Sequence, residues 1–369
     1  MKKFFLLAAL VSVALASCVK NEPAKVDSQK EISFTPVVAK TTKAPTTPVT
    51  GEIATSYDTN ESFGVFGFYC EEDNYNPASA TVYMDNIKCK YNSSINDDAD
   101  EGTAGAWVPT STYYWPKNGK LTFSAYSPAD AATAGTITCD KKKGLKISGF
   151  SVQTDVTNQY DLLYSDRAYN KTTSIGATNP TYDGVDILFH HALSSIHVKV
   201  KADVSYPANT ITINSINILN AYFNGDFVEN LTTGTETDSK ATSNWEGHNN
   251  EIDTFVIGNS GKDISTTTDY TQYGTTALML PQAFDHTGSS NHVKLQVNYT
   301  IKNGDGTTLP QVSTFDLTTE ANTGVVPSTF NQWVKGYRYT YNITIGLKQV
   351  YFAPSVDPWE NATITVPQI

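Results

Sequence analysis

The chain has 369 residues and a formal net charge of −11, from 26 Lys and Arg against 37 Asp and Glu. Its arginines are Arg167 and Arg338 alone, and an acidic chain without a basic cluster is a poor partner for nucleic acid or an anionic lipid surface. The length allows two or three domains, and the many Tyr, Thr, Asn and Ser residues are the usage of an extracellular β protein.

In chain order, Lys2 and Lys3 precede a stretch, Phe4 to Ala16, that is apolar but for Ser12, and then the small Ser17. That stretch is shorter than the roughly 20 residues of a membrane-spanning helix, so it reads as a signal peptide of residues 1–17. Leu15-Ala16-Ser17-Cys18 matches a lipobox, in which the Cys18 sulfur receives a diacylglycerol and becomes the mature N-terminus. Each buried methylene of such an anchor contributes about 0.8 kcal/mol, so several acyl chains hold a protein firmly on a membrane. Loss of Lys2 and Lys3 with the leader takes the charge from −11 to −13.

Residues 18–57 form a stem rich in Lys, Thr and Pro. Within it Ile32, Phe34 and Val38 share one parity and predict an isolated strand. Compact structure is expected from Ser62–Tyr69 onward. Lys120–Tyr126 alternates after the turn-prone Lys117-Asn118-Gly119. Ile196, Val198 and Val200 face one side, and Ile211 and Ile213 do the same. Ile216 and Ile218 resume the pattern after Asn214-Ser215, where a bulge would absorb the shift. Val293 to Ile301 alternates and ends at Asn303-Gly304-Asp305-Gly306, a hairpin signal. Tyr337 to Leu347 forms another long run.

Period-2 runs without interleaved helices predict an all-β protein of packed antiparallel sheets, that is, β-sandwiches. Two are expected, over residues 58–188 and 189–369, meeting near Asp183 to His191. Beyond Cys18 the cysteines are Cys70, Cys89 and Cys139. An odd count permits one intramolecular disulfide at most, and the wide spacing argues against zinc.

Few motifs suggest chemistry. His190 and His191 would point to opposite faces, and His191 and His197 would sit about 20 Å apart, too far to share a metal. The acidic run Asn96–Gly102 lacks the glycine and distal glutamate of a calcium loop and reads as a solvated turn. Trp115 and Trp359 are expected in packing, whereas Trp245, within the loop-like Ser243–Gly247, is the better candidate for an exposed aromatic. No catalytic residue, metal or cofactor is expected.

A series of short blocks runs in order along most of the chain. These are the lipobox at Cys18, Ile32–Phe34 with Thr42–Ala44, Ser62–Phe66, Tyr113–Pro116 with Leu121–Tyr126, Tyr160–Leu163, His191–Ile196, Leu280–Gln282, Lys335–Tyr341 and Val356–Trp359. Their shared order resembles the fimbrillin family, the type V pilins and related lipoproteins of Bacteroidales. The resemblance implies two tandem transthyretin-like β-sandwiches on a lipoprotein of the outer membrane, assembled with other fimbrial subunits into surface fibres. It also implies that a protease removes the lipidated stem with its first strand, and that a neighbour's strand fills the groove. Mapped here, Ile32, Phe34 and Val38 would be the removable strand's inward side chains, and the cut would follow Lys40 or Lys43. The departure is that the best-known members are cut after arginine, and none precedes Arg167. Ile364 and Val366 share one parity near the C-terminus and read either as a donor strand or as a last edge strand. The alternative function is a monomeric surface lipoprotein that binds glycan or host protein through sandwich loops.

Overall fold

A computed structural model describes residues 31–38, 55–59, 61–96, 104–129, 135–172, 184–231, 243–248, 251–286, 291–320, 331–347 and 350–358. Cys18, Lys40, Lys43, residues 97–102, Trp359, Ile364 and Val366 lie outside them.

The chain is all-β. Its helical parts among the described residues are a 3-10 turn at Val156–Asn158 and a four-residue turn at Leu317–Glu320. The first half contributes β1 (Phe34–Val38), β2 (Thr55–Ser56), β3 (Ser62–Cys70), β4 (Thr81–Asn96), β5 (Ala104–Pro109) and β6 (Lys120–Ser127). It continues with β7 (Thr136–Asp140), β8 (Gly144–Ser151), β9 (Leu163–Ser165), β10 (Ala168–Lys171) and β11 (Val185–His191). Pairing runs β6-β3-β4-β5-β1-β11-β9, and β9 pairs back to β6, so seven strands close into a ring. Closure leaves no free edge on that path.

Alternation decides what fills the ring. On β3, Phe63 and Val65 point inward while Phe66 and Phe68 join a second core on the other face. On β6, Leu121, Phe123 and Ala125 point inward and Tyr126 outward to that second core. Both strands are buried on both faces; β3 accordingly reads as a nearly continuous apolar run, whereas β6 keeps its alternation because Thr122 and Ser124 are buried polar residues on its other face.

The second half supplies β12 (Ser194–Ala202), β13 (Thr210–Tyr222), β14 (Asn224–Val228), β15 (Asn244–Glu246), β16 (Ile252–Gly258), β17 (Lys262–Asp263) and β18 (Thr271–Gln272). After these come β19 (Ala277–Met279), β20 (Gln282–Ala283), β21 (Lys294–Lys302), β22 (Thr308–Asp316), β23 (Gln332–Trp333), β24 (Tyr337–Ile345) and β25 (Val350–Pro358). One sheet is ordered β18-β12-β24-β25 and another β16-β13-β21-β22. The expected bulge in β13 is present: the register to β21 shifts between Ile213 and Ser215, and Ile211, Ile213, Ile216 and Ile218 are all fully buried. The hairpin after β21 is closed by Asn303 N donating to Thr307 O at 2.8 Å, with Gly306 at φ +88.

Among the described strands two pairings are parallel, β1 with β11 and β12 with β24. The expected division at 188/189 falls inside β11, and a further sheet, β15-β14-β8-β7, joins strands from both sides of it. Side-chain alternation carries no sign of strand direction or of which distant run is the partner, so neither feature is visible in the sequence pattern.

Candidate functional site

The most specific arrangement is the seating of β1. Ile32 and Phe34 are 1% and 2% exposed, Pro36 is buried, and Val38 is half-buried against the same core. Glu31 and Thr35 face solvent. The strand anticipated as isolated is thus an internal member of the ring. It runs in parallel register with β11 from Phe34↔Val185 to Val38↔Phe189, and it meets β5 at Phe34↔Trp107. Two more hydrogen bonds fix its start: Ile32 N donates to Tyr113 O, and Val185 N to Ser33 O, each at 2.8 Å. At its far end Val37 and Val38 pair with Ser56 and Thr55 of β2.

The slot around Phe34 is aromatic. Its ring stands edge-on to Phe63 and Phe123, with centroids 5.8 and 5.4 Å away at 86° and 90°. Such T-shaped pairs are each worth about 0.5–1.5 kcal/mol beyond area burial. Beside them Tyr57 stacks on Phe189 at 5.5 Å and meets Trp107 edge-on at 4.9 Å. Its hydroxyl shares a 2.5 Å hydrogen bond with Ser127 Oγ and donates to Ser62 O, and burial pushes its pKa well above the ordinary tyrosine value. Beneath the strand lies Gly184. A Cβ there would stand 2.4 Å from Phe34 C and 2.6 Å from its N and Cα, so the two backbones touch. Where β1 ends, a cavity of about 280 Å³ opens between Val38, Tyr57, Asp58, Glu61, Tyr160 and Asp161.

Sequence reasoning pointed to Ile32, Phe34 and Val38, and the structure brings them together on one core. It missed Gly184, Tyr57, Trp107 and Phe123 as the walls of that slot. Phe123 had a signal in the alternation of β6; Gly184 had none, because its role depends on a backbone 150 residues away.

The other flagged residues do not assemble. His190 is buried with Nε2 3.0 Å from Asp166 Oδ1, and His191 Nδ1 is 2.8 Å from Asp161 Oδ2. His197 is 3.1 Å from Ser195 Oγ, and burial, then the charge of Arg338, hold its pKa down to about 4. Among the described residues no group of three or more His, Cys, Asp or Glu could hold a metal ion. Cys70, Cys89 and Cys139 are free thiols, with burial pushing Cys139 up to about 11. Trp245, the better candidate among the tryptophans for an exposed aromatic, is core: it is 6% exposed, and its Nε1 donates to Ala192 O at 2.6 Å. Its three-residue strand β15 pairs with β14, and a strand that short leaves no alternation to read.

A family model described as fimbrillin-like matches residues 42–359. Among solved structures, a fimbrial protein from Bacteroides vulgatus is similar at 17% identity and a TM-score of 0.58, covering 89% of this chain and 99% of that one. Candidate cell-adhesion proteins from Bacteroides uniformis and Bacteroides ovatus are similar at 18% and 16% identity, with TM-scores of 0.46 and 0.44. These cover 89% and 90% of this chain and 99% and 98% of theirs. Among curated proteins none matches the sequence.

Proposed function

The chain belongs to the fimbrillin-like family, and on that footing we propose that it is a structural, non-enzymatic subunit of a cell-surface fimbria that contributes to adhesion. It is exported as a lipoprotein, anchored in the outer membrane through Cys18, and polymerises with other fimbrial subunits by protease-triggered strand exchange.

The observation that carries this reading is the position of β1. It is integral to the ring, yet it is joined to the rest only through residues 39–54, which contain Lys40 and Lys43. A cut there turns β1 into a separate peptide. Its departure would open the ring between β5 and β11 and bare the slot walled by Phe63 and Phe123. An extended segment from a neighbour restores the backbone hydrogen bonds and fills the same slots, which is β-augmentation. Head-to-tail repetition of a contact that does not close gives a filament. With no arginine before Arg167, an arginine-specific protease would not release the stem, so the cut follows lysine or the anchor is kept. Ile364 and Val366 are the chain's own candidate donor residues. The alternative of a monomeric glycan or host-protein binder relied on exposed aromatic loops, and it loses Trp245 to the core.

The test is limited digestion of the stem-containing protein with a lysine-specific protease, followed by denaturing gels and electron microscopy. Cleavage at Lys40 or Lys43 followed by fibres that resist mild denaturant is the expected result. Clean cleavage with a lasting monomer would remove self-polymerisation.

A further inference from the structure

Strand exchange says that the channel takes a strand, but not which one. Resting on that reading, we propose that the Phe34 slot is the specificity determinant of the channel, and that the strand it accepts from a partner carries an aromatic side chain at the Phe34 position.

Three observations carry this. First, the slot is shaped by two perpendicular rings, Phe63 and Phe123, each presenting a face or an edge to Phe34 at 5.4–5.8 Å. A branched aliphatic side chain there forfeits both aromatic contacts and leaves unfilled volume, because a closed core does not collapse fully around a smaller guest. Second, Gly184 lies against the backbone N, Cα and C of Phe34, so the guest backbone is seated most closely at the residue whose side chain fills the slot. Register is then set by which guest side chains face the core. A one-residue slip would turn every inward side chain to the outer face. Third, the inward position at the far end of the strand is less demanding. Val38 is only half-buried beside an open cavity, and Pro36 occupies the position between. The chain's own C-terminal segment, 361–369, offers Ile364 and Val366 but no aromatic residue. It is therefore the weaker guest, and the preferred donor is an extended segment with an aliphatic residue followed two positions later by an aromatic one.

The guest can be varied without touching the fold of the host. Full-length protein nicked between β1 and β2 is mixed with a fluorescent synthetic peptide of residues 31–38, and unlabelled peptides compete for uptake. The native peptide should exchange into the nicked protein. A Phe34→Ala peptide should compete at least about 100-fold more weakly. Phe34→Val and the 361–369 peptide should fall at least about 10-fold below the native one. Thr35→Ala, at a solvent-facing position, should match the native peptide. If Phe34→Ala or the 361–369 peptide competes within about threefold of the native sequence, the slot does not select and the proposal is overturned while strand exchange stands. If no peptide enters, the native one included, strand exchange itself fails and takes the proposal with it.

Discussion

Replacing Gly184 by alanine adds one methyl group where the structure has backbone. The new Cβ would lie 2.4 Å from the carbonyl carbon of Phe34 and 2.6 Å from its N and Cα, closer than carbon atoms approach one another. No flexible side chain is available to give way, so either β1 lifts or the start of β11 shifts. Overpacking of this kind costs about 1–3 kcal/mol. Against it stands the entropic gain of a Gly to Ala change at an unstrained position, about 0.4–1 kcal/mol. The net expectation is a loss of about 1–2 kcal/mol, read as a lower urea midpoint with an unchanged slope. Gly261→Ala is the control, because its Cβ would meet only the Thr212 methyl at 3.4 Å, and it should be neutral or slightly stabilising. In nicked protein from which β1 has been displaced, the penalty of Gly184→Ala should vanish. A Gly184→Ala protein as stable as the parent, or an equal penalty with and without β1, would refute the backbone contact as the cause.

Two further expectations follow from buried groups. Trp245→Ala removes a core indole together with its hydrogen bond to Ala192 O, so it should destabilise by about 3–5 kcal/mol in chemical denaturation; a change near zero would place the ring at the surface after all. His197 is held at about 4, first by burial and then by Arg338, whereas the unfolded chain titrates near 6.5. The unfolded state therefore takes up the proton first, and stability is complete above about pH 6.5 and falls as pH drops toward 4. His197→Gln should flatten that part of the profile, and parallel pH profiles for the two proteins would count against it.

The sequence disclosed faces better than partners. The bulge at Asn214-Ser215, the inward sets of β13 and β21, and the hairpin at Asn303–Gly306 were all legible, because each is written in local alternation or turn chemistry. The inward residues of β1 were legible for the same reason. Its neighbours were not: β11 begins 151 positions after Phe34, runs parallel to it, and gives no local sign of either fact. Trp245 shows the complementary case. A three-residue strand supports no periodicity, so Asn and Gly around it dominate the reading and suggest a loop, while its actual position is decided by β14 and Ala192. The division into halves at 188/189 rests on strand and turn spacing, yet β8 pairs with β14 across it.

The treatment of sheet edges gives the β1 channel its meaning. Of the end strands of the two second-half sheets, β22 carries Pro310 and β25 carries Pro354 and Pro358, whereas β16 and β18 carry none. Proline cannot donate to a ladder and is a recurrent means of blunting an edge against unwanted pairing. β11 has no proline along Val185–His191, and its inward side chains Val185, Ile187 and Phe189 are buried in the ring core. While β1 is seated, that strand is covered on the β1 side. Once β1 leaves, a proline-free edge is exposed next to an aromatic slot, and both the backbone and the core favour another strand there. An exposed edge of that kind is an aggregation hazard unless its unveiling is timed, and in the proposed strand exchange the cut within residues 39–54 would supply the timing.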